Sequence, residues 1–414
     1  MNPRPRSIRL RTYAVGFGDC LLLTVGYGSA LPDGRRVRHV LVDCGSVRPA
    51  PGGPSLVEVA TLIVEHCEGR LDAVVATHPQ PEHINGFGTP EASEVLRALR
   101  PNVVIRPWTD SPQLRNSGPD EAAQQLLPLL TSALASRTET ATLLDDWGRQ
   151  GRAAYVRAGD TVDLTAELPS MTVQVLGPPG HDRLPQLVRP GAHWFALDAA
   201  GELPSLITPP AGPWTDAARM LADPGGVGAA EWLLRTLHAR PASQQLEIAG
   251  AFDDLAHNTS VVLLVTVGNR TVLLPGDAQA ASWAPVLDRA QGANAVPKDR
   301  QLARRLAEVA VYKVGQHGDR RATPARLRGL WERRIGSARP LVSILSSRPG
   351  RSTRGAAPLP DPGLVADLAR LGPVYRTDAL PDGVWWLDVE APTSGRDPVT
   401  CSPGPVVTRS RGGR

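Results

Sequence analysis

Apolar residues in this chain come in short runs of strand length. The best of them, 20–25, 260–267 and 341–345, fall far below the roughly 20 residues that crossing a bilayer requires. Segments with helical spacing lie between such runs. At 55–65, Leu56, Val59, Leu62 and Ile63 fall at i, i+3, i+6 and i+7. Strand-length runs alternating with amphipathic helices predict an α/β or α+β chain of layered sheets. With 414 residues, 42% of them apolar, the chain can bury a large core, which excludes general disorder.

Strands are predicted at 8–15, 20–25, 37–42, 71–76, 103–105, 171–176, 260–267, 271–274, 309–314, 341–345 and 383–389, with a helix at 364–371. Gly268-Asn269 between two of them reads as a hairpin turn. Two polar, loop-rich stretches, at about 108–150 and 178–251, read as insertions on one domain spanning 8–390. Each holds one helix-like piece, at 122–134 and 229–237, but neither holds apolar periodicity enough for its own core. Residues 391–414 read as a disordered tail rich in Pro, Gly, Ser and Arg. The N-terminal segment lacks the apolar stretch of a secretion signal. The four cysteines (Cys20, Cys44, Cys67, Cys401) show no CxxC spacing, so free thiols in a reducing cytoplasm are expected.

The formal charge is only +4, but residues 298–354 carry 15 basic against four acidic residues. That local surplus suits an anionic partner, nucleic acid included. A bias toward Arg in a chain rich in Ala, Pro and Gly accounts for the same numbers without a ligand.

Three polar clusters follow predicted strands, where loops on a rigid sheet usually place functional groups. The first is His78-Pro-Gln80-Pro-Glu82-His83. Two imidazoles and a carboxylate in one tight loop can converge on a zinc-type cation, which takes nitrogen and oxygen ligands about 2 Å away. The second ends in Pro275-Gly276-Asp277, and the third is Lys313-Val-Gly-Gln316-His317-Gly.

In this order the clusters resemble the metallo-β-lactamase superfamily, whose loop reads H-x-H-x-D-H, followed by a strand-end Asp and a final His. Closer still is the resemblance to the hydrolase domain of bacterial DNA-uptake competence channel proteins. That branch reads VGQGD, IDxG, the His/Asp loop, NNxSLVL, LLxGD and KVGHHGS. This chain has Val15-Gly-Phe-Gly-Asp19, Val42-Asp43-Cys-Gly45, the 78–83 loop, His257-Asn-Thr-Ser-Val-Val-Leu, Leu274-Pro-Gly-Asp277 and Lys313-Val-Gly-Gln-His-Gly318, with Val374-Tyr-Arg-Thr-Asp378 near the end. The resemblance implies a four-layer αββα sandwich of two mixed sheets, with the site at one edge between them.

It also implies metal ligands at His78, Glu82, His83, Asp277 and His317, with Asp277 as the bridging carboxylate. Gln80 stands where the family has His, or sometimes Asp, and a neutral amide is a poorer ligand than either; Glu82 stands where Asp is usual. Gln316 replaces the first His of the usual pair. His257 could supply a missing imidazole but reads first as a residue leading into its strand, and His181 as surface loop. Asp19 and Asp43 read as structural.

Two functions follow. One is a hydrolase using zinc or manganese, one ion rather than two, on a phosphodiester or other anionic substrate, possessing Asp277 and Lys313 as catalytic groups. Lys313, or an arginine of the basic stretch, would stabilise an anionic transition state. The other is an inactive binding or scaffold protein of the same fold, in which Gln80 and Glu82 have weakened the site.

Overall fold

The computed structural model describes residues 3–112, 142–180, 183, 254–292, 295–348, 350–351, 358–394 and 397–407. The first sheet has eight strands: β1 (Pro5–Tyr13), β2 (Cys20–Tyr27), β3 (Val37–Cys44), β4 (Ala73–Val75), β5 (Val103–Pro107), β6 (Arg152–Val156), β15 (Trp386–Pro392) and β16 (Thr400–Pro403). Their order is β16-β15-β1-β2-β3-β4-β5-β6. Strands β3 to β6 run parallel, and the remaining neighbours are antiparallel. The second sheet holds β7 (Met171–Gly177), β8 (Val262–Val267), β9 (Arg270–Leu274), β10 (Val311–Lys313), β11 (Val342–Leu345) and β14 (Val374–Arg376), ordered β14-β11-β10-β9-β8-β7. It is mixed too: β9, β10, β11 and β14 are parallel, while β7, β8 and β9 form antiparallel pairs. The turn at Gly268-Asn269 joins β8 to β9 as expected, Val267 pairing with Arg270. A two-stranded piece, β12 (Gly350–Arg351) with β13 (Pro358–Leu359), stands apart.

The period-two alternation of a strand sends neighbouring side chains to opposite faces, and here both faces of each sheet are covered. Leu21 and Leu23, Val40 and Val42, and Val75 point inward and meet Leu263, Val265, Val272, Leu274 and Ile344 of the second sheet. Leu22, Leu41 and Val74 point outward, against helices α1 (Leu56–His66), α3 (Pro90–Leu96) and α4 (Thr142–Gln150). On the far side Leu264, Leu273 and Tyr312 meet α5 (Ala280–Gln291), α6 (Pro297–Ala307), α7 (Ala325–Trp331) and α8 (Pro362–Leu371). The result is the expected αββα sandwich. Helix α1 starts where the pattern places it, because Ser55 and Glu58 close a reciprocal capping box.

Some boundaries differ from the sequence reading. Residues 142–150, read as part of the first insertion, form α4 and bury Leu143, Leu144 and Trp147 in the outer core. The predicted tail is also shorter. Residues 400–403 add β16 to the sheet edge, where Cys401 packs against the inner core. The helix-like pieces at 122–134 and 229–237, His181, and most of both insertions lie outside the described residues. Cys20, Cys44 and Cys67 are buried free thiols, and Cys401 is half-buried. Among the described residues no helix is long and apolar enough to cross a membrane.

His39 on β3 offers a check on this packing. Burial, together with Arg35, Arg9 and Arg38, lowers its pKa from 6.5 to about 4. The unfolded chain therefore takes up this proton first as the pH falls. Stability contributed by neutral His39 is complete above pH 6.5 and is lost between about 6.5 and 4, by up to about 3 kcal/mol. Urea unfolding at pH 7 and pH 4.5 should show a smaller stability loss for His39→Gln than for the parent chain. An identical loss in both would contradict the assignment.

Candidate metal centre

The parallel strands of both sheets point their carboxyl ends at one seam. Strand β3 carries Asp43 one residue before its end, β4 runs into Thr77 and His78, β9 into Asp277, and β10 into Gln316 and His317. Between β4 and the next helix, Pro81 and Glu82 open the single-turn α2 (Pro81–Ile84). Successive helical residues point about 100° apart, so His83 is buried while Glu82 stays half-exposed.

Glycines let these loops touch. A Cβ on Gly45 would lie 2.5 Å from the Glu82 backbone. Gly276, at φ +54°, could carry no side chain without meeting Thr77 at 2.9 Å.

His83 is the hub. Its Nδ1–H donates to Asp43 Oδ2 at 2.8 Å, and its Nε2 lies 3.2 Å from Asp277 Oδ2 without the alignment of a hydrogen bond. Asp43 is itself held by the backbone N–H and hydroxyl of Thr77, both at 2.7 Å. Asp277 is oriented by the Gln316 N–H at 2.7 Å, which leaves Oδ2 without a hydrogen bond. His317 Nδ1 lies 3.2 Å from the Ser346 carbonyl, the position for donating its proton there, and its Nε2 is buried without a partner. Both Gln316 (φ 46°) and His317 (φ 51°) occupy the left-handed region, as does Asp43 (φ 58°). Such strain in non-glycine residues gathers at functional sites.

The electrostatics follow from this packing. Burial alone would depress the His83 pKa, but Asp277 and Asp43 outweigh it and hold it well above the ordinary value. Asp277 is driven well below the carboxylate range, burial being overcome by His83, His78 and Lys313. Burial raises Asp43, against the pull of His83 and Thr77. His78 is pushed well down by burial and by His83.

The expected ligands are not equally placed. His78, His83 and Asp277 converge, with ligand atoms all within 4.8 Å of one another, and Asp19, Asp43 and His83 form a second such group. His317 belongs to neither, although its ring lies 6.3 Å from that of His83. Glu82 belongs to neither as well; its backbone carbonyl instead accepts the Asp19 N–H at 3.0 Å. Lys313, expected to face substrate, is fully buried and ion-paired with Asp19. Its charge is spent inside the protein because Asp19, 294 residues away in sequence, reaches it across the two sheets. Arg320 and Arg321 are likewise paired, with Asp367 and with Asp319 and Asp254.

Glutamines surround the remaining imidazoles. His78 Nδ1 lies 3.1 Å from Thr77 Oγ1, and its Nε2 lies 2.8 Å from Gln80 Oε1. His257 is buried 3.9 Å from Asp277 and touches Gln316 and Gln279 at 3.3 and 3.4 Å. It joins the site as more than a residue leading into β8. Gln279, Thr77 and Ser346 were missed in the sequence; the first two flank Asp277 and His78 closely enough that proximity was a signal. Arg48 carried no signal. Its guanidinium lies over Phe17, 5.1 Å from the ring centroid, and Phe17 in turn rests 4.0 Å from His317.

The donor set suits a divalent metal. Three buried donors, His83 Nε2, Asp277 Oδ2 and His317 Nε2, lack hydrogen-bond partners, and the other polar atom of each is anchored. Anchoring of this kind is how proteins fix the tautomer and aim of metal ligands.

Comparison with known proteins adds little to this geometry. No family profile matches the chain, and no curated protein matches it. Among solved structures it is similar to a mutant of the CmlA beta-hydroxylase, at 13% identity and a TM-score of 0.34. That similarity covers 93% of this chain and 54% of the other, so this chain spans about half the length of that protein.

Proposed function

We propose that this chain is a metal-dependent hydrolase of the metallo-β-lactamase fold, acting on a phosphodiester or another anionic ester. Its cation, zinc or manganese, would be held by His78, His83 and Asp277, with His317 as a fourth donor. The unpartnered buried atoms of His83, Asp277 and His317 are the observation that carries this reading. When bound, such a cation supplies Lewis acidity, polarising a substrate oxygen and making a water acidic enough to attack. Asp277 stays ionised at neutral pH and orients donors on its two sides. Asp43 holds the His83 ring, and Lys313 fixes Asp19 rather than meeting substrate. Arg48, exposed and stacked on Phe17 beside His317, is the cation placed to attract an anionic substrate.

The alternative is an inactive binding protein. The contacts among His257, Gln279 and Gln316 favour it, because neutral amides already satisfy groups that a second metal would need.

Protein purified without chelator should carry about one equivalent of zinc or manganese per chain. With an imidazole beside His78 and His257, Gln80→His should raise this toward about two. No bound metal, or two equivalents in the parent chain, would contradict the ligand assignment. With added zinc or manganese the protein should hydrolyse bis(p-nitrophenyl) phosphate, and the isosteric Asp277→Asn should abolish turnover. Binding of that ester without turnover, unchanged by Asp277→Asn, would favour the inactive reading.

Arg48→Gln should raise KM for the anionic ester by about three- to tenfold with little change in kcat, since it removes one charge-assisted contact. Steady-state kinetics with a neutral aryl ester serve as the control. An equal effect on both esters would mean that Arg48 acts through structure.

A further inference from the structure

Four arginines, Arg270, Arg305, Arg334 and Arg339, line a cleft of about 870 Å³. It opens at the N-terminal ends of β9, β10 and β11, where Arg270, Ala310 and Val342 lie. Asp277 and His317 follow the opposite ends of the same sheet, so the cleft is separate from the metal centre. Among the described residues none of the four guanidinium groups is ion-paired. Arg270 donates to the carbonyls of Pro392 and Asp397, Arg334 to those of Val309, Arg339 and Pro340, and Arg305 to the side-chain oxygen of Gln174. These neutral acceptors orient three of the groups without cancelling their charge.

The cations also act on one another. Arg270 is lowered from its ordinary pKa by burial and then by Arg339, opposed by Asp397, and Arg334 by burial and by Arg339 and Arg270, opposed by Glu308. Two acids, Glu308 and Asp397, complete the charged lining, leaving two positive charges in excess. A carboxylate would leave one of these unmet, whereas a phosphate monoester carries about −1.5 to −2 near pH 7. Planar guanidinium groups match phosphate oxygens in pairs. Ala310, Val342 and Val399 add an apolar wall, and the volume falls within the roughly 300–1,000 Å³ of sites for small organic ligands. From this combination of volume, unpaired charge and apolar wall, we propose that the cleft is a binding site for an organic phosphate monoester of nucleotide size. It stands independently of the proposed hydrolase activity.

The test uses the full chain and isothermal titration at low salt, with adenosine monophosphate as probe and adenosine as its uncharged counterpart. The monophosphate should bind and adenosine should not. Arg305 and Arg339 are at least partly exposed, so their replacement leaves the core intact. The double variant Arg305→Gln/Arg339→Gln should weaken binding by about tenfold or more. Arg300→Gln, an equal charge change on α6 outside the cleft lining, should leave affinity unchanged, as should Asp277→Asn. Four results would overturn the proposal: no binding at millimolar monophosphate, equal binding of adenosine, an equal loss in Arg300→Gln, or a loss in Asp277→Asn with none in the double variant.

Discussion

Charge buried at the seam between the two sheets is the constraint that organises the molecule. Asp19, Asp43 and Asp277 are each about 1% exposed, and Lys313 is the one buried ammonium among them. Carboxylates without water must be paired, protonated or bound to a cation. Even with Lys313 counted, the three aspartates are two positive charges short of balance. The protein answers in part by making His83 strongly basic and raising Asp43. A divalent cation would supply both missing charges instead, with His83 then neutral. The same constraint joins the sheets, because Lys313 stands on β10 while Asp19 precedes β2. Removing the Lys313 ammonium while the sheets stay packed would leave Asp19 buried and unpaired, which typically costs about 3–5 kcal/mol.

Much of this was legible in the sequence, for a physical reason. Central strands are buried on both faces, so they read as unbroken apolar runs, and the glycines that let their loops touch stand out beside His83, Asp277 and His317. Edge elements were harder to see. Strand β6 begins with Arg152 and exposes its first residues, and β16 is largely exposed, so neither carries the apolar signature of a core strand. Helix α4 was hidden by the polar stretch before it.

Roles within the site were less legible than its membership. Nothing local to Lys313 says that its partner is Asp19, because that pairing exists only once two sheets have met. The preference of His83 over Glu82 depends on which way a single helical turn faces. The identity of Gln80 announced a weaker site, but the contacts of Gln316 and Gln279 with His257 required the folded chain. Backbone strain at Asp43, Gln316 and His317 was equally invisible, since φ is a property of the packed loop.

Strand β1 lies between β2, its neighbour in sequence, and β15, with Ser7 opposite Pro392. One side of the larger sheet is thus closed by residues separated by almost the whole described chain. Contacts of such long range are slow to form, since loop closure must precede the gain. On a ribosome, which emits about 5–20 residues each second, β1 would wait many seconds for β15. Until then one edge of β1 stays unpaired, open to strands of neighbouring chains. The seam joining His83 to Asp277 likewise waits for strands far along the chain, and the emerging chain is most exposed to misassembly before β15 arrives.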